Sequence, residues 1–170
     1  MITPKETTFD SSQLKALATK SEPAFKQFYK RNKKKLEKMD EEIHALHALH
    51  SSEIDCLQCA NCCRTLGPAI SDKDIERMSK TLRIKPSEVV SQYLKVDEDK
   101  DYVFKSMPCP FLMPDNYCSI YESRPKACRE YPHTDRKKFV QIYNLTVKNS
   151  YTCPVAYKVL EDLVIRGIVL

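Results

Sequence analysis

The stretch CLQCANCC, residues 56–63, puts four thiols within eight positions. Cys56, Cys59 and Cys62 are spaced by two Cys-x2-Cys steps, and Cys63 follows at once. A Cys-x2-Cys step lets two sulfurs turn toward one ion, because a tight turn brings both side chains to the same side. Three thiols at this spacing match the opening of the bacterial ferredoxin run, in which three thiolates hold corners of a 4Fe–4S cube and a Cys-Pro supplies the fourth. Two remote Cys-Pro pairs are available, Cys109-Pro110 and Cys153-Pro154. Zinc also takes four thiolates, and eight cysteines divide evenly into two such sites. The spacing therefore leaves iron–sulfur and zinc both open, with the triple step favouring iron–sulfur. Vicinal side chains usually point apart, so Cys62 and Cys63 are expected to face two adjacent centres.

The other four thiols lie in MPCPFLMPDNYCSIYESRPKACREYPH and in the late Cys-Pro: Cys109, Cys118, Cys128 and Cys153. No cysteine occurs before residue 56, a segregation that scattered packing thiols would not show. Arg124, Lys126 and Arg129 surround Cys128, and a thiolate centre of net charge −2 needs such positive N–H donors. Arg124 and Arg129 are therefore expected to support the bound group. His133, beside Tyr131-Pro132, is the one ionisable residue next to this stretch that could assist chemistry. His44, His47 and His50 recur every three residues but lack the Glu-flanked i, i+4 pairing of a zinc peptidase, so they read as surface and seam residues.

These residues need elements to hold them. Tyr29, Asn32, Leu36, Met39, Ile43, Leu46 and His50 alternate in steps of three and four, extended backward by Phe25 and Phe28. The pattern predicts one long amphipathic helix over about 23–50, with Ser21 as cap and Pro23 in its first turn. Its seam would pack on the cysteine region or on a second chain, as a homodimer or with a protein partner. SDKDIERMSKTLRI opens with a Ser71-x-x-Asp74 capping arrangement. KPSEVVSQYLK starts a further helix, and CPVAYKVLEDLVI a closing one with Pro154 in its first turn. DYVFKS and YCSIY read as the two short strands. The expected fold is mainly α, a helix-rich single domain with an irregular cysteine-rich metal-binding centre and little β. Along the chain it divides into an N-terminal helical arm, 1–52, and a cysteine-cluster domain, 53–170.

The chain of 170 residues has a formal charge of +5 with neutral thiols. Eight thiolates against two dipositive centres would bring this to about +1, so the positive charge can serve the protein's own sulfurs. KRNKKKLEK, 30–38, holds six basic residues, but the acidic residues at 40–42 can pair with it at helical spacing; a solvated face is expected and nucleic acid is not. MITPKETTFDSSQ lacks the basic and apolar regions of an export signal, and VIRGIVL is too short to span a bilayer. The expectation is a cytoplasmic protein without a membrane, whose dense thiols bind metal and are not cross-linked.

CLQCANCC, then CPFL, then CSIYESRPKACREYP together resemble the CxxCxxCC cysteine-cluster family, the YkgJ-like zinc- or iron-chelating domain proteins. The likeness covers about 55–135, and the Cys-Pro at 153 fits it. It implies a metal- or cluster-binding protein with Cys56, Cys59, Cys62, Cys63, Cys109, Cys118 and Cys128 as ligands. Arg124, Pro125, Arg129, Tyr131 and Pro132 would be their companions. The family is also similar to the flagellin lysine N-methylase, which implies an alternative: a cluster-dependent modifying or redox enzyme. No Gly-rich nucleotide turn accompanies it, since Gly67 and Gly167 are the only glycines. A zinc-dependent protein-interaction module built on the long helix is the third reading.

Overall fold

The computed structural model describes residues 10–166. Gly167 and most of the segment read for an export signal lie outside them. In chain order the elements are α1 (Ser11–Leu36), α2 (Asp40–Glu53), α3 (Cys56–Cys59), α4 (Asn61–Thr65), α5 (Asp72–Leu82), α6 (Pro86–Tyr93), β1 (Leu94–Val96) and β2 (Tyr102–Phe104). A 3-10 turn (Tyr121–Ser123), α7 (Lys126–Glu130), a second 3-10 turn (Phe139–Ile142), α8 (Tyr143–Asn149) and α9 (Pro154–Ile165) complete the order. The fold is mainly α, and β1 and β2 form a two-stranded sheet. Among the described residues no helix is long and apolar enough to cross a membrane.

Packing gathers the chain into two units, one of residues up to Cys59 with those from Pro132 onward, the other Ala60–Tyr131. This grouping follows contacts, where the expected division at 52/53 followed sequence. α1 and α2 both pack on α9.

In the first unit, α1 begins behind Asp10 and buries Leu14, Ala18, Phe25, Phe28 and Leu36 along one face. Pro23 lies within this helix and not at its start. The seam expected from periodicity is present, with Ile43, Leu46 and His50 continuing it on α2. It belongs to two helices, however, because the chain breaks at 37–39 with neither glycine nor proline there. Asp40 supplies the reason. Its carboxylate accepts the Lys138 N–H at 2.6 Å and the Phe139 N–H at 3.0 Å, capping the second 3-10 turn. A helix running straight through 40 would not present that carboxylate to donors nearly a hundred residues away. Tyr143 seals the unit: it is fully buried, stacks on Tyr29 at 4.8 Å, and donates its O–H to the Phe25 carbonyl at 3.0 Å.

The second unit has its own core of Ile70, Ile75, Met78, Val89, Leu94, Phe104, Phe111 and Ile120. β1 pairs antiparallel with β2, Leu94 opposite Phe104 and Val96 opposite Tyr102. DYVFKS thus forms a strand as expected. YCSIY does not: Cys118 makes one isolated bridge to Leu112, and the residues after it curl into the first 3-10 turn. β1, expected as the end of a helix, is the strand that replaces it. With so few glycines, left-handed backbone positions fall to Ala60, Arg83, Lys100, Asn116, His133 and Lys138.

The Tyr143→Phe variant keeps the ring packing but leaves the buried Phe25 carbonyl without its donor. We expect it to unfold in urea with a stability loss of about 1–2 kcal/mol and an unchanged m-value.

Candidate metal centre

Five of the thiols lie in the second unit, on three separate segments. Cys62 and Cys63 sit in α4, whose cap Ala60 holds a left-handed φ of 47°. Cys109 and Cys118 flank a small hairpin closed by the Leu112–Cys118 bridge and by Ser119 N–H to the Phe111 carbonyl at 2.9 Å. Cys128 is on α7. The Cys109 N–H donates to the Cys63 carbonyl at 2.8 Å, and the Arg64 guanidinium donates to the Asn116 side chain at the hairpin tip. Backbone and side chain together tie α4 to the hairpin.

The sulfurs feel one another. The Cys62 and Cys63 sulfurs are 3.9 Å apart and do not diverge as neighbours were expected to. That separation is close to the edge of about 3.8 Å that a tetrahedral site with Zn–S of 2.3 Å has. The Cys63 thiol is drawn down to about 7 by a hydrogen bond from Cys62, against burial and with help from Arg64 and Arg124. Burial pushes Cys109 up to about 11, and negative charge at Cys63 and Cys118 adds to the rise. Cys128 is pushed up to about 12 by burial and then by Cys109, Cys63 and Cys118. Cys118 rises mainly by burial, with Cys63 adding and Arg124 opposing. Cys63 bears on Cys109, Cys118 and Cys128, and Cys109 and Cys118 bear on Cys128, so these thiols form one electrostatic group.

Arg124 is the cation that bears on Cys63, Cys118 and Cys128, with Arg64 acting on Cys63 as well. The Arg124 guanidinium carbon lies 3.7 Å from the Tyr121 ring centroid, and it donates to the Tyr121 carbonyl at 2.7 Å. Asp74 holds the segment that carries it. This carboxylate, on a residue only 2% exposed, accepts the Ser71 N–H at 3.0 Å and the Ser71 hydroxyl at 2.7 Å, completing the α5 capping box. It also accepts the Lys126 N–H at 2.9 Å, at the start of α7, and the Arg77 guanidinium at 2.5 Å. Arg77 donates in turn to the Arg124 carbonyl at 2.8 Å. Burial by itself would raise the Asp74 carboxyl. The donations from Ser71, Lys126 and Arg77 outweigh it and hold the group below the usual carboxylate range. The sequence shows Asp74 as a cap; its second task and the role of Arg77 appear only once α5 lies against residues 121–126.

The first unit contains Cys56, Cys59 and Cys153. Cys153 is 8% exposed and caps α9, with Pro154 in the first turn. Burial pushes its thiol up to about 12; the Ala156 and Val155 N–H groups pull down, while Cys56 and Cys59 push up. These three thiols therefore act on one another as well. Asp55 places the pair on α3, accepting the Leu57 N–H at 2.9 Å through its side chain and the Cys59 N–H at 3.1 Å through its carbonyl.

All eight cysteines are free, and among the described residues no three His, Cys, Asp or Glu side chains stand in a ready-made coordination geometry. The donor chemistry nonetheless fits a thiophilic centre. Backbone N–H groups two or three residues on face the sulfurs of Cys109 (Phe111, Leu112), Cys118 (Ile120) and Cys153 (Val155, Ala156). Such N–H···S donors stabilise a thiolate, the form that binds metal.

Of the other expected residues, Arg129 is exposed on α7 and Arg124 alone is seen to act on the thiols. His133 is half-buried with a left-handed backbone. The α2 histidines pack in the first unit. His50 lies between Asp162 at 3.1 Å and Glu53 at 3.3 Å, and His47 meets the Thr134 hydroxyl at 2.6 Å.

A family model, CxxCxxCC, described as "Putative zinc- or iron-chelating domain", matches residues 55–154, more than half of the chain. No curated protein and no solved structure matches it.

Three outcomes test this geometry. Asp74→Ala should cost about 3 kcal/mol, since it removes a cap and leaves Arg77 facing a buried gap. Because the folded Asp74 carboxyl is depressed, its contribution is complete above the ordinary Asp value near 4 and fades as pH falls through the lower folded value. Asp74→Asn should flatten the acid limb of the stability curve. In metal-free protein, Cys63 should be the first thiol alkylated by iodoacetamide, half-maximally near pH 7, with Cys109 and Cys128 lagging. Peptide mass spectrometry against pH reads this directly.

Proposed function

Because the chain belongs to the CxxCxxCC family of zinc- or iron-chelating domains, we propose that it holds an iron–sulfur centre through its cysteine thiolates. The observation that carries this reading is a set of half-buried thiols, with the buried Cys153, that influence one another electrostatically while backbone N–H groups aim at their sulfurs. Cys62, Cys63, Cys109, Cys118 and Cys128 would serve one centre. Cys56, Cys59 and Cys153 would serve a second. When bound, such a centre contributes folding energy and one-electron chemistry.

The chain's own residues prepare for the charge. Thiols pushed up to about 11 or 12 keep their protons until a cation replaces them, so ligation releases protons and the thiolates' repulsion is offset by the metal. Arg124 supplies the remaining positive charge within the second unit, and Tyr121 fixes its plane. Arg129 would come into use only as an exposed companion. The iron–sulfur choice rests on the Cys56-x2-Cys59 step with the Cys153-Pro154 pair offering a further thiolate in the first unit. A specific observation favours zinc as the second reading: the 3.9 Å between the Cys62 and Cys63 sulfurs suits one tetrahedral ion.

Protein purified without oxygen should be brown, with iron and acid-labile sulfide by elemental analysis and a paramagnetic signal on reduction. Cys109→Ala and Cys128→Ala should each lose colour and metal together. Removing the metal with a chelator should cost on the order of 10 kcal/mol, enough to unfold the domain. A colourless protein with stoichiometric zinc and no sulfide overturns the iron–sulfur reading in favour of the second.

A further inference from the structure

One buried amide beside the thiols has no acceptor. Among the described residues, three buried side-chain nitrogens lack a hydrogen-bond partner: His44 Nε2, Asn61 Nδ2 and Arg77 Nε. Their situations differ. An imidazole nitrogen can stand bare as an acceptor, depending on the tautomer, so His44 need leave no proton unmatched. Arg77 is already held through Nη2 by Asp74 and by the Arg124 carbonyl. An amide nitrogen always carries two protons and accepts nothing. Asn61 therefore buries a donor that nothing receives, which costs stability.

Asn61 lies next to Cys62 in α4, just after the buried Ala60. The backbone acceptors of this stretch are engaged. The Ala60 carbonyl accepts the Arg64 N–H at 3.1 Å, and the Asn61 carbonyl accepts the Thr65 hydroxyl at 2.8 Å. The Cys62 carbonyl accepts the Leu66 N–H at 2.9 Å, and the Cys63 carbonyl the Cys109 N–H at 2.8 Å. The acceptors this stretch still offers are its sulfurs. A thiol accepts a hydrogen bond weakly, whereas a charged thiolate accepts one well. Backbone N–H groups already face the Cys109 and Cys118 sulfurs of the same unit. A buried donor that costs stability at the ligand stretch is explained if ligation supplies its acceptor.

We propose that Asn61 donates through Nδ2 to a metal-bound sulfur of the second unit, as a positioning residue that tightens the centre. This rests on the reading that these thiols bind metal, and holds for either metal. The test uses the full-length protein without oxygen, with zinc affinity read by competition against a chromophoric chelator. Cobalt(II) serves as the spectroscopic probe. Asn61→Leu keeps the size of the side chain and removes the donor. Zinc affinity at the site that Cys109→Ala abolishes should fall about 10- to 100-fold, the loss that follows when a partner of a metal ligand is removed. The sulfur-to-cobalt charge-transfer band should move to longer wavelength, because a sulfur relieved of a hydrogen bond gives up its electrons more easily. Asn61→Asp has the same shape but, ionised, no proton to donate, and should lose at least as much affinity. A donor that stays wasted in the loaded protein predicts the opposite, since an apolar group of similar shape would leave affinity unchanged or raise it. That result, or a band that does not move, overturns the proposal and leaves the metal reading standing. So does failure of both variants to fold with zinc present, which assigns Asn61 to folding alone. Wild-type protein that binds neither zinc nor cobalt overturns the proposal together with the reading beneath it.

Discussion

One carboxylate, that of Asp74, joins the parts of the second unit that must meet for its thiols to act together. Its donors come from the α5 cap, from the first N–H of α7 and from Arg77, which in turn grips the Arg124 carbonyl. Each of these bonds is charge-assisted and part-buried, and charge assistance strengthens a hydrogen bond. The segment from Arg124 to Cys128 is short and irregular, with Pro125 as the cap of α7, so it has little structure of its own to rely on. Its position is borrowed from α5, whose apolar face of Ile75 and Met78 is anchored in the core.

That dependence explains the electrostatics. Buried thiols resist ionisation because desolvation penalises charge and each new thiolate repels the next. The chain answers with one stacked guanidinium and a set of backbone N–H donors, not with a ring of cations. Much positive charge lies elsewhere, including the exposed runs at 30–38 and 136–138. The near-neutral sum expected for a metal-loaded chain therefore conceals a strongly uneven distribution. Net charge alone could not reveal this, because it does not say which acids are spent on backbone donors.

Local pattern was legible where local physics decides. The seam of α1 and α2, the α5 capping box, Pro154 at the start of α9 and the strand at DYVFKS all follow from spacing and turn chemistry. The expected single helix from 23 to 50 failed at 37–39, where no residue type signals a stop and the stop is set by distant backbone donors. YCSIY failed as a strand because no partner strand lies beside it beyond the one bridge at Cys118. The sulfurs of Cys62 and Cys63 come within 3.9 Å although both sit in one short helix, where neighbouring side chains do not face each other.

The sequence by itself determined that thiols are the chemistry of this protein, since eight cysteines confined beyond residue 55 in ordered motifs admit few other uses. It also determined the helical character, through periodicities that any amphipathic helix must show. Only the tertiary structure decided which thiols influence one another: Cys56 and Cys59 with Cys153, and Cys62 and Cys63 with Cys109, Cys118 and Cys128. Adjacency in the chain constrains neighbours alone. Burial, charge coupling and the choice of Arg124 over Arg129 arise from segments far apart in sequence, and no spacing rule encodes their meeting.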